Sequence, residues 1–159
     1  SALGRIPGEM ASGEVNEARL AAWVTSVRQS CNELSRSDVG DGRIGELLSH
    51  ASKGKDGVWP CEAVRAVMES VQSEAMMRGA HTGVYNSRGV HWRGEGGEQE
   101  RVLAEKYRGW GRELQISHPF VASKLLMALA KTYDHEARRL RRAEKVDVHG
   151  SILFCLESR

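Results

Sequence analysis

Apolar side chains recur at three- and four-residue steps along most of this chain, the spacing that lines one face of an α-helix. From Ser12, placed to cap, the run Leu20, Trp23, Val24, Val27, Cys31 and Leu34 predicts an amphipathic helix with Glu14 and Glu17 in its first turns. The polar, glycine-containing stretch from Ser35 to Gly42 predicts a turn. Asp41 then caps a short helix carrying Ile44, Leu47 and Leu48. After a second break at SKGKDG, Pro60 is suited to a first helical position. Val64, Val67, Met68, Val71 and Ala75 form the stripe of a helix that reaches Arg78 and stops at Gly79.

The pattern resumes at Glu98 and runs to Gln115, with Val102, Leu103, Tyr107, Trp110 and Leu114 as its apolar side. Pro119 opens the last long helix, whose face is Phe120, Val121, Leu125, Leu126, Leu129, Ala130 and Tyr133. The short connection between these two predicts an antiparallel αα-hairpin. Beyond Val146, Gly150 breaks the pattern, and Ile152, Leu153, Phe154 and Leu156 read as an extended tail docked on the bundle or on a partner. The fold expected is all-α: one bundle of four longer helices and one short helix over residues 12–145, a flexible segment 1–11, and the tail 146–159.

A length of 159 residues fits one domain with a single core. No apolar run approaches the roughly 20 residues that span a bilayer, and the first residues lack the basic start and apolar stretch of a secretory signal. Cys31, Cys61 and Cys155 are odd in number and widely spaced, as free thiols in a reducing cytoplasm would be. The chain starts at Ser1, which suggests a domain cut from a longer polypeptide.

A net charge of +2 is too small to imply a nucleic-acid partner, but its distribution is uneven. Arg138, Arg139, Arg141 and Arg142 cluster with Lys145 near the end of the last helix. A solvated helix end explains such a cluster, and phosphate contact is the alternative. The connector between the middle helices holds Tyr85, Asn86, Arg88, His91, Trp92 and Arg93, interleaving planar cations with aromatic rings. Such groups carry much of the binding energy at protein interfaces, and they also suit a single-stranded nucleic-acid groove. Asn86 and Ser87 begin a turn-prone tetrad.

The GEGGEQER segment resembles a phosphate-holding helix entry only loosely, because Glu95, Glu98 and Glu100 occupy the place of the anion and no Lys-Ser or Lys-Thr follows the glycines. The histidines show no metal-ligand spacing, although His81 and His91 could converge with Glu98 or Glu100. No nucleophile elbow is present.

The function expected is therefore a non-enzymatic helical protein-interaction module, an accessory domain of a larger bacterial protein, cytoplasmic, without cofactor or metal. Its partner is a protein or the parent polypeptide, met by Tyr85, Asn86, Arg88, His91, Trp92 and Arg93. A homodimer through the tail is a further option. The first alternative is nucleic-acid binding by Arg88, Arg93 and the Arg138 to Arg142 cluster. The second is an enzyme whose cleft gathers Tyr85, Asn86, Arg88, His91 and Glu100.

Overall fold

The structure, a computed structural model, describes residues 6–87 and 97–156, and side chains as far as Ala143. Helix α1 spans Glu17–Glu33, α2 Ser37–Leu48, α3 Glu62–Val71, α4 Glu74–Ser87 and α5 Glu98–Leu114. The last helical segment has three parts: a turn α6, Pro119–Val121, a π-helical stretch Ala122–Leu126, and α7, Met127–Leu156. The chain is an all-α bundle, and among the described residues the one β-feature is an isolated bridge between Glu9 and Val15.

Several helix ends differ from the sequence expectation. Asn16, not Ser12, caps α1: its Oδ1 accepts from the Arg19 amide at 3.0 Å. Before it, Ile6 is buried, and the Asn16 amide donates to the Gly8 carbonyl at 2.9 Å. The later part of the segment expected to be flexible is thus a loop folded onto the bundle.

The helix expected to run from Pro60 to Arg78 is two helices. The chain bends at Gln72, which takes a left-handed conformation with φ 49°. Ser73 then starts α4, its Oγ accepting from the Met76 amide at 3.2 Å.

Gly79 does not end a helix, and the stretch from Ser37 to Gly42 is no turn. Both lie inside helices, because their glycines form the contact between α2 and α4, the most extensive helix pair among the described residues. A Cβ on Gly45 would lie 2.8 Å from the Ala80 nitrogen and closer still to the Met76 carbonyl oxygen. One on Gly79 would lie 2.7 Å from the Gly42 carbonyl carbon. Two backbones approach where neither has a side chain, so the lower helix propensity of glycine is offset by close packing. Asp41 is not a cap but a buried member of α2, held by Arg28 Nε at 2.8 Å.

The αα-hairpin is present. Helix α5 packs along α7 with Glu100, Ala104, Tyr107, Gly111 and Leu114 inward. Val102, expected in the core, is 60% exposed, and small residues take the face because α7 lies close: a Cβ on Gly97 would sit 2.8 Å from Ala137 Cα. On α7 and the turns before it, Val121, Leu125, Leu126, Leu129, Ala130 and Tyr133 are buried as their spacing predicts. The Glu69 carboxylate of α3 reaches the start of this segment and accepts from the amides of Phe120 and Val121 at 3.1 and 2.9 Å. Its charge therefore satisfies helix N–H groups that no local side chain caps.

The tail is helical as well. Backbone from Val146 to Leu156 continues α7, and Gly150 lies within it instead of breaking it. A glycine costs a helix about 1 kcal/mol relative to alanine, less than is needed to stop one that no proline interrupts.

The loop between α2 and α3 is pinned by buried groups. Trp59 Nε1 donates to the Ala51 carbonyl at 2.9 Å, after which the Trp59–Pro60 peptide is cis. The buried Arg65 guanidinium grips the Asp56 carboxylate and holds that carboxyl below its ordinary range.

Candidate interaction surfaces

Tyr85 and Asn86 lie in the last turn of α4, both at the surface. Tyr85 remains 36% exposed, and its ring leans on Tyr133 of α7 with centroids 6.3 Å apart. Tyr133 stacks on Tyr107 at 5.7 Å and 10°, and Tyr107 meets Trp110 and Trp59 edge-on at 5.4 and 6.1 Å. A ladder of rings thus crosses the bundle from the end of α4 to the far side of α5. Most of it is core: Tyr133, Tyr107 and Trp59 are buried, and aromatic pairs in these arrangements favour packing beyond their area. The ladder also fixes the Tyr85 ring on a rigid base.

Arg88, His91, Trp92 and Arg93 lie outside the described residues. His81 Nε2 meets Thr132 Oγ1 at 2.9 Å, while that hydroxyl donates to the Ala128 carbonyl at 3.1 Å. Burial between two helices pushes the His81 imidazole below its ordinary pKa. Glu98 pairs with Arg101 at the surface, while Glu100 is buried against the hairpin. No group of three His, Cys, Asp or Glu side chains suited to a metal occurs among the described residues. Burial raises the Cys61 thiol, which disfavours the reactive thiolate.

The arginine cluster on α7 resolves into two directions. Arg139 bonds Glu136 at 3.0 Å on one side of the helix. Arg138, Arg141 and Arg142, spaced i, i+3 and i+4, share another, together with Lys131 two turns earlier. All four cations of this strip are exposed, and among the described residues none is ion-paired. Asp134, the carboxylate beside them, is engaged by Arg108. Glu136 lies on the side of the helix where Arg139 bonds it, away from this strip. Lys131, Thr132, Asp134, His135, Glu136 and Arg138 border a depression of about 500 Å³.

The strip and the exposed tyrosine point in different directions, since Tyr133, on which Tyr85 rests, lies well over a quarter-turn around α7 from Arg138. Tyr85 and the cluster therefore do not form one groove of alternating rings and cations. Sequence reasoning missed Lys131 as a member of the strip. The signal was available: Lys131 precedes Arg138 by seven residues, two turns of one helix.

A second group lies on α5. The ammonium groups of Lys53 and Lys106 stand 5.4 and 4.9 Å from the centroid of the Trp110 ring. Burial and the neighbouring Lys53 charge lower the Lys106 pKa.

No helix among the described residues is long and apolar enough to cross a membrane. No protein-family model matches the chain, and no curated protein or solved structure is significantly similar to it.

Proposed function

We propose that the chain is a non-enzymatic helical interaction module that docks an acidic protein segment along α7. The observation that carries this reading is the strip of Lys131, Arg138, Arg141 and Arg142, exposed and without ion-paired carboxylates among the described residues. The strip is about 16 Å long at helical rise. Carboxylates on one face of a partner helix repeat at i, i+3 and i+4 and match that spacing. Arginine strengthens such contacts because its planar fork binds a carboxylate through two hydrogen bonds. A strip on one long helix also accepts a partner without rearranging the core beneath it.

The Tyr85 and Asn86 end of α4 belongs to this reading as a second contact, continued in sequence by Arg88, His91, Trp92 and Arg93. The module would serve as an accessory domain of a larger bacterial protein. A reducing cytoplasm suits the free thiols of Cys31 and Cys61.

The test is fluorescence anisotropy with a labelled glutamate-rich helical peptide, compared with single-stranded RNA and duplex DNA at the same ionic strength. The peptide should bind wild type, and the triple variant Arg138→Glu, Arg141→Glu, Arg142→Glu should lose at least roughly tenfold in affinity with an unchanged helical CD signal. Tighter binding of either nucleic acid, with affinity falling steeply in salt, would replace the protein partner by a phosphate backbone. Equal peptide affinity in wild type and triple variant would remove the strip from the function.

A further inference from the structure

We propose that Lys53, Lys106 and Trp110 form a binding site for a small phosphate monoester, separate from the basic strip of α7. Lys53 comes from the loop between α2 and α3, and Lys106 stands one turn before Trp110 on α5. Their ammonium groups converge on one indole, at 5.4 and 4.9 Å from its centroid. Lys106 also lies 5.7 Å from the Tyr107 ring. Each gains from the electron-rich ring faces, but two like charges at one indole repel each other. Among the described residues neither lysine is paired with a carboxylate.

Of the acids nearby, Glu105, Glu14 and Glu62 are engaged, Glu113 is further along, and Glu17 is exposed at the border of the adjoining depression. Glu105 is bound by Arg108 and Arg112, Glu14 by Lys55, and Glu62 accepts from the Lys55 amide at 2.9 Å. Glu113 is exposed on α5 one turn past Trp110, two turns from Lys106. An anion between the ammonium groups would relieve their repulsion and receive charge-assisted hydrogen bonds from both. A phosphate monoester carries close to two negative charges at neutral pH, which matches two cations better than a carboxylate does.

The platform beneath is rigid. Trp110 packs against Trp59 at 6.5 Å and against Tyr107 at 5.4 Å, so the indole is fixed before any ligand arrives. Gly109, beside Trp110, has no atom within 4 Å of where a Cβ would stand, so the neighbouring surface is open. Lys53, without Lys106 or Trp110, also borders a depression of about 620 Å³ whose polar wall is Ser12, Ser52, Lys55 and the carboxylates of Glu14, Glu17 and Glu62, which would face a ligand's hydroxyls. The organic part of a monoester would lie there, with its phosphate on the lysines.

The indole N–H resonance of Trp110, assigned with Trp110→Phe, reports on the site in a ¹H–¹⁵N spectrum. It should shift saturably with glycerol phosphate and more weakly with inorganic phosphate, and stay in place with sodium chloride at matched ionic strength. Lys53→Gln and Lys106→Gln should each weaken binding at least roughly fivefold, and the double variant should abolish it while its other indole resonances stay unchanged. The triple arginine variant of α7 should bind glycerol phosphate like wild type, which separates this site from the docking strip. Equal affinity for inorganic phosphate and glycerol phosphate would overturn the monoester assignment. A shift that does not saturate, or one that survives in the double variant, would overturn the site.

Discussion

Gly45 and Gly79 do their work through the atoms they lack, and substitution there tests the α2–α4 contact directly. A methyl group on either meets the backbone of the other helix, with the Gly45 Cβ 2.8 Å from Ala80 N and the Gly79 Cβ 2.7 Å from the Gly42 carbonyl carbon. Backbone cannot step aside as a flexible side chain does, so Gly45→Ala and Gly79→Ala should each cost at least about 2 kcal/mol in urea denaturation. Gly109→Ala is the contrasting case, since nothing lies within 4 Å of its Cβ position. It should stabilise α5 by about 0.5–1 kcal/mol. The sequence shows these glycines but not what each is for. Gly42 and Gly79 resemble punctuation because the local meaning of glycine is a turn or cap, whereas their packing role depends on a helix more than thirty residues away. His81 adds a titration at the same scale. Burial lowers its pKa from 6.5, so the unfolded chain takes up the proton first and stability falls as pH drops below that value. His81→Gln should flatten the stability profile below pH 6.5, leaving the contribution of His118, which burial and Arg65 also lower.

At the scale of elements, periodicity located the strongly amphipathic helices and missed boundaries fixed by distant groups. The inward residues of the last helical segment were legible from Val121 to Tyr133, because large apolar side chains mark that face without ambiguity. Helix α5 was less so, since its inward positions include Glu100, Ala104 and Gly111 while Val102 points out. Close approach of α7 selects small side chains there, which a hydrophobicity pattern does not register. The break at Gln72 was hidden because the apolar spacing continues across it to Ala75. Glu69 makes the dependence on distant groups testable: its carboxylate holds the amides of Phe120 and Val121 across about fifty residues of chain. Glu69→Ala should lower stability by about 1–2 kcal/mol in urea denaturation. Asn16→Ala, which removes a cap within one helix, should cost about 1 kcal/mol by the same measurement.

For the molecule as a whole, a glycine-tight pair of helices, α2 and α4, and a hairpin, α5 with α7, enclose one core. The chemistry left at the surface is mainly charge: cations gathered on one face of α7, and two lysines on the indole of Trp110. The arginine cluster was visible in the sequence, but its direction was not. Once placed on a helix, Arg139 turns to Glu136 while Arg138, Arg141 and Arg142 align with Lys131. The ring ladder likewise gives Tyr85 a structural base that its sequence neighbours did not suggest. On the function proposed above, α7 docks an acidic protein segment along this strip. The most direct test of this docking is amide chemical-shift mapping by ¹H–¹⁵N NMR while a glutamate-rich helical peptide is titrated into the intact chain. Saturable shifts concentrated from Lys131 to Arg142 are expected, lost in the triple arginine-to-glutamate variant. Shifts absent from that stretch, or unchanged in the variant, would contradict it.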